Sequence, residues 1–271
     1  MLDLKSLPYY FFYRTCYIKK RYLDKDAKTL VLGSSHGEYG WFPQQGEYNL
    51  CFASQDLYYS YQLYCKYAPK LPKLKRVILF FSVFSPGFEL DKCSEKERCM
   101  VYDALFNIPP KNCFYKQNPY KNIRLRLKFF WKYLFPRAEL ANYRGECLDI
   151  KGKSVQRLET ADVNDRVQKA LKHNRRNKTG FEYINKLIAE ANEHNQEVVI
   201  VLSPAHQKYK ELVDKEITFD CRDDLLKSMN YRVIDGYQLD CFSDDDFWDF
   251  DHLRLDGAKK FTTIIRRKIG Y

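Results

Sequence analysis

Three short runs constrain this chain more than any other feature: Thr29–Gly33 (TLVLG), Val77–Phe81 (VILFF) and Val198–Leu202 (VVIVL). None alternates apolar with polar residues, so each reads as a strand buried on both faces, the mark of a parallel sheet. Tyr48–Phe52 (YNLCF) and Arg232–Asp235 (RVID) are two further strand candidates. Helical patterns separate them. Ser54-Gln55-Asp56 caps an aromatic helix running to about Tyr67. Gly180–Asn195 places apolar residues at 181, 184, 187, 188 and 191, one face of an amphipathic helix. Glu211–Lys215, Arg222–Met229 and the closing segment Asp256–Ile269 also read as helical. Strands alternating with helices predict an α/β fold: one three-layer sandwich over 1–271, with a parallel five-stranded sheet of flavodoxin-like order.

Residues 86–178 break the alternation. They carry KCSEKERC, then KNIRLRLKFFWKYLFPR, then a polar stretch, and read as a helical insertion or cap between the third and fourth strands. Within it, Asn118–Arg137 interleaves Lys121, Arg124, Arg126, Lys128, Lys132 and Arg137 with apolar and aromatic residues. That mixture suits an anionic glycan, a membrane surface or nucleic acid. A helix packing its aromatic side on the core with Lys and Arg outside is the reading the pattern favours. No nucleic-acid-binding motif is present, so a nucleic-acid partner is not expected.

The formal charge of +11 on 271 residues is consistent with an anionic partner and also with solubility alone. Nine cysteines, odd in number and never spaced C-x-x-C, argue against a zinc ribbon or a thioredoxin-like site and fit a reducing compartment. A cytoplasmic protein is expected, with contact to a membrane surface left open through 121–137. No run of about 18 apolar residues occurs, so no transmembrane helix is expected. The first residues lack the basic start and small-residue cleavage site of a signal peptide.

Gly33-Ser34-Ser35-His36-Gly37 follows the first strand and reads G-x-S-x-G. The nucleophile elbow of an α/β-hydrolase has that pattern but follows several earlier strands, and 32 residues leave room for one at most. Near the other end, Asp249 and His252 form a D-x-x-H pair just before the closing helix. Taken singly, Ser34-Ser35 reads as a helix cap and Asp249–His252 as a turn.

Taken together, a serine after the first strand and a D-x-x-H before the last helix resemble the SGNH/GDSL hydrolase superfamily. The resemblance implies Ser35 as nucleophile, His252 as its base and Asp249 as the group that orients the imidazole. It implies no metal and no cofactor. The match covers the strand order and both chain ends, with Ser34 in place of the usual Asp. The family's second-block glycine falls at Ser54, whose backbone N–H would line an oxyanion hole. The third block departs: Ser82-Val83-Phe84-Ser85 follows VILFF, with Phe84 in place of an asparagine, leaving Ser82 or Ser85 as substitute donors. Divergent branches that acylate or deacylate bacterial surface polysaccharides also lack parts of the middle blocks.

His36, beside the nucleophile, and His206, just past the fourth strand at the sheet's carboxyl edge, are candidate substrate contacts. His173 and His194 read as solvated, Asp251 as pointing away from the imidazole, and Asp244-Asp245-Asp246 as a solvated charge run rather than a metal loop. The function expected is hydrolysis or transfer of an acyl group on a carbohydrate or similar hydroxylated substrate. A non-catalytic binding protein on the same fold is the alternative.

Overall fold

In the computed structural model, which describes residues 9–112, 119–135, 140–148, 158, 162–176, 179–219 and 230–270, the five apolar runs form one sheet. Its strands are β1 (Thr29–Leu32), β2 (Glu47–Asn49), β3 (Arg76–Phe81), β4 (Glu197–Leu202) and β5 (Tyr231–Asp235). All pair in parallel in the order β2-β1-β3-β4-β5. The second strand ends earlier than its apolar run. The Asn49 side chain accepts a hydrogen bond from the Cys51 amide at 3.0 Å and starts a turn. Leu50 and Phe52 nevertheless still donate to the Val31 and Gly33 carbonyls.

Alternate residues of each strand face opposite layers, as the two-residue period of a strand requires. Leu30, Leu79 and Ile200 point into one core. Among the helices that face contributes to are α1 (Tyr10–Arg21), α3 (Leu57–Tyr67), α7 (Gly180–Glu193) and α8 (Gln207–Asp214). Val31, Ile78, Phe80, Val199 and Val201 point into the other, covered by α9 (Leu255–Ile269). The fold is thus an α/β sandwich with helices on both faces of a parallel sheet. Asp56 caps α3, accepting from the Tyr59 amide at 2.9 Å. The expected helix over 222–229 lies outside the described residues.

The departure between β3 and β4 contains α4 (Cys99–Val101, continuing as a π turn over Tyr102–Phe106), α5 (Pro119–Lys132) and α6 (Val163–Asn174). These helices go to different places. Leu125 and Phe129 of α5 are buried, Phe129 with its ring 5.3 Å from that of Tyr13 on α1. Helix α6 instead leans over the carboxyl edge of the sheet, where the Asn174 amide donates to the Val83 carbonyl at 2.6 Å. No helix among the described residues is long and apolar enough to cross a membrane. The described cysteines are free thiols.

The step from β1 to the next helix depends on Gly33. Its φ of +138° lies in the region L side chains avoid, and a Cβ there would sit 2.7 Å from that of Phe80. Gly33→Ala should therefore destabilise the protein by roughly 2–5 kcal/mol, backbone strain adding to overpacking. Chemical denaturation checks this, and a loss under about 1 kcal/mol would mean that the turn tolerates a side chain.

Candidate active site

Directly after Gly33, Ser34 caps α2 (Ser35–Gly40), its hydroxyl accepting from the His36 amide. Ser35 is the first residue of that helix, at the carboxyl edge of the sheet where open α/β folds place their ligands. Gly37 permits the helix to lie close to β3: a Cβ there would meet Cys51 Sγ at 2.5 Å and the Phe80 ring at 2.9 Å. The two glycines of G-x-S-x-G serve this close packing, not an α/β-hydrolase elbow.

The loop before α9 reaches Ser35 from the far end of the chain. It closes on itself through a bridge between Phe247 and Leu253. Asp249 turns it, one carboxylate oxygen accepting from the Asp251 amide at 3.2 Å and the His252 amide at 2.9 Å. The same oxygen lies 2.9 Å from His252 Nδ1, and His252 Nε2 lies 2.8 Å from Ser35 Oγ. The turn reading and the orienting reading of Asp249 therefore describe one residue doing both.

A guanidinium complicates the imidazole's proton. Arg166 of α6 places Nη2 at 3.1 Å from His252 Nδ1, and an N–H there can bond only to an unprotonated nitrogen. Both Asp249 oxygens also approach Nδ1, at 2.9 and 3.1 Å. A bare Nδ1 would set its lone pair against a carboxylate, so the proton belongs on Nδ1 and is donated to Asp249. Nε2 is then free to accept from Ser35. The real hydrogen bond of Arg166 is from Nε to Asp251 Oδ1, at 2.8 Å.

Asp251 does not point away, as its place in the sequence suggested. It is buried, bonded to Arg166 and to His36 Nε2 at 3.2 Å, with Oδ1 3.5 Å from His252 Nδ1. Burial works to raise its pKa. The charges of His252 and Arg166 and the hydrogen bond from His36 overcome that and hold it well below the usual carboxylate value. His36 stacks on His252 with ring centroids 4.7 Å apart. Burial lowers the His36 pKa, and the contact with Asp251 offsets this only partly. A neutral His36 spares the His252 ring a like charge when that ring becomes protonated.

The remaining expected residues separate. Ser54 lines the same cavity as Ser35 and has a φ of 58°, the left-handed conformation glycine favours. Its hydroxyl donates to Glu95, and among the described residues no group bonds the Ser35 or Ser54 amide. Both N–H groups belong to residues that line the cavity. The Ser82 and Ser85 hydroxyls are not. Ser85 Oγ accepts from the Ser82 amide at 2.9 Å in a tight turn, while Ser82 Oγ is buried without a partner, beside a separate small cavity. Phe84 lines the main cavity instead.

Neither histidine expected to touch substrate lines the cavity over Ser35. His36 is buried behind the triad. His206 caps α8, accepts from the Lys208 amide at 3.2 Å, and bonds Asp244 at 2.9 Å. Its own amide donates to the Phe250 carbonyl, which ties β4 to the Asp249 loop. Asp244 is thus paired, and Asp246, read as solvated, is buried against Lys260. His173, also read as solvated, lines the cavity half-buried, with its ring against Phe88.

The cavity over Ser35 has a volume of about 240 Å³. Phe84 and Phe88 form an apolar wall, and α6 supplies Arg166, Lys169 and His173. Nothing local in the sequence marked Arg166 or Lys169, because their stretch reads only as polar, and His173 reads there as solvated. His36, Asp251 and His252 present donor atoms within 4.8 Å of one another. Arg166 already supplies the positive charge there, which makes this an ion-pair cluster rather than a cradle for a cation.

A model of an uncharacterised protein family matches residues 150–271. That span holds Arg166, Asp249, Asp251 and His252 but not Ser35. No curated protein matches the chain.

A His with a lowered folded pKa makes stability fall on acidification. Below the ordinary value of about 6.5 the unfolded chain takes up the proton first, and the loss continues down through the lowered native value. The melting temperature should thus fall between about pH 7 and pH 5, and His36→Gln should flatten that part of the profile. Parallel profiles would show that His36 is not held neutral.

Proposed function

We propose that the protein is a serine-dependent acyl-ester hydrolase or O-acyltransferase acting on a carbohydrate or similar hydroxylated substrate. The observation that carries the reading is the unbroken Asp249–His252–Ser35 relay, with contacts of 2.9 and 2.8 Å, opening into a cavity. A serine hydroxyl is a weak nucleophile until a neighbouring imidazole accepts its proton.

Ser35 Oγ would attack the acyl carbon as its proton passes to His252 Nε2. The carbonyl oxygen, now negative, would lie against the Ser35 and Ser54 amides. The imidazolium then faces two carboxylates, Asp249 and Asp251, with one guanidinium, so the proton it gains brings the cluster to neutrality. Nε2 returns that proton to the departing alcohol, leaving an acyl group on Ser35. Water or a second hydroxyl completes the cycle by the same steps in reverse. Helix α6 over the cavity favours an acceptor other than water, because a covered acyl-enzyme hydrolyses more slowly. The missing third-block donor supports a second reading, a binding protein on this fold.

A fluorophosphonate probe should label Ser35, and labelling should vanish in Ser35→Ala and collapse in His252→Ala. Equal labelling of all three proteins would exclude the relay. With an activated acetyl ester, Asp249→Asn should lower kcat by roughly 10³–10⁴-fold through loss of the required tautomer. A greater loss in Asp251→Asn would transfer the orienting role to Asp251. Acetylated oligosaccharide formed at the expense of free acetate would identify a transferase. Release of acetate indifferent to every acceptor would identify an esterase, and no turnover by a folded wild type would favour the binding protein.

A further inference from the structure

The surface formed by α1 and α5 lies outside the catalytic reading. Helix α5 buries Leu125 and Phe129 against α1, with Tyr133 buried just beyond its end, but its apolar residues do not stop there. Ile123, Leu127 and Phe130 are exposed, as are Trp131 at 69 % and, just past the helix, Phe135 at 77 %. From α1, Phe11 is exposed as well. Large apolar side chains scattered singly on a surface need no explanation, whereas a contiguous set on one helix and its neighbour does.

The charge carried by the two helices has one sign. Helix α1 carries four basic residues and α5 five, and neither carries an aspartate or glutamate. Among the described residues, Lys20, Arg21, Arg124, Arg126, Lys128 and Lys132 form no ion pair. Lys20 instead donates to the Leu105 carbonyl and Arg21 to that of Leu134. Between the helices runs a groove of about 640 Å³. Lys20, Arg21 and Arg126 stand on its rim, and Leu105, Leu127 and Phe130 form apolar wall. Burial, and then the positive charges of Arg126, Lys66 and Lys70, lower the Lys20 pKa, as expected of cations crowded together.

We propose that the α1–α5 face docks on an anionic phospholipid bilayer, with Trp131, Phe130 and Phe135 entering the interface and the groove cations holding lipid phosphates. Aromatic and aliphatic residues on one side with Lys and Arg around them are what an interfacial helix requires, and 14 residues cannot span a bilayer. A second copy of this chain fits poorly, because a two-fold contact would press the same cations together. A soluble anionic glycan would satisfy the charges but leave the apolar side chains in water. The inference does not depend on the acyl chemistry.

The full chain should sediment with vesicles of mixed phosphatidylcholine and phosphatidylglycerol, and not with phosphatidylcholine alone. Trp131 emission should shift to the blue on binding, and Trp131→Phe should remove most of that shift. Each cation near an anionic surface contributes about 1 kcal/mol, so Arg126→Gln with Lys128→Gln should weaken binding roughly 25-fold. Added salt should weaken it too. The replaced side chains are exposed or half-buried, and an unchanged melting temperature confirms that the variants fold. Equal sedimentation with both vesicles, or none with either, would overturn the proposal. Concentration-dependent dimers abolished by Trp131→Ser, or retention by an acidic polysaccharide without vesicle binding, would overturn it in favour of those occupants.

Discussion

The contact between Ser35 and His252 joins residues 217 positions apart, and the arrangement of the site follows from what permits it. Ser35 is placed by β1 and the tight turn at Gly33, next to the centre of the sheet. His252 is placed by a loop closed by its own hydrogen bonds. Helix α9 then packs against the face lined by Val31, Phe80 and Val201, which fixes where that loop can sit. Central strand, closing helix and self-bonded loop together hold the imidazole within hydrogen-bond reach of the hydroxyl. A flexible loop would lose that geometry to conformational entropy.

Charge around His252 is arranged as a balance rather than as a single orienting carboxylate. Asp249 and Asp251 both lie near Nδ1, and Arg166 partly neutralises them from the insertion side. Two carboxylates and one guanidinium thus surround the imidazole. His36, uncharged through burial, fills the space behind without adding a repulsive cation. Removing Arg166 would leave Asp251 buried without its cation, a costly outcome in a low-dielectric interior.

The segment between β3 and β4 divides into two functions by position. Helix α6 supplies one wall of the cavity and a cation of the cluster. Helix α5 packs on the far side against α1 and leaves a basic, aromatic face in solvent. Helix α1 links the two regions. Its Lys19, fully buried, donates to the Cys51 carbonyl at 2.6 Å and lies 3.5 Å from Glu38, which accepts from the Ala53 amide. Those contacts brace the loop that precedes Ser54, and Lys19 directly precedes Lys20 of the α1–α5 groove.

What the sequence determined by itself was local. Runs such as VILFF and VVIVL specify buried parallel strands because their side chains suit two apolar faces. Asp249 and His252 specify a turn because an aspartate carboxylate reaches the amides two and three residues on. Ser54 illustrates the limit: the family resemblance suggested its amide as an oxyanion donor, and only the fold gives it a left-handed backbone beside the cavity of Ser35. Tertiary structure alone decided that Ser82 and Ser85 turn away from the cavity and that Phe84 faces it. It alone brought Asp251 to Arg166, 85 residues distant, and set His173 in the wall. The physical reason is that a polar side chain's partner is chosen by where unrelated elements meet, and no spacing along the chain records that meeting.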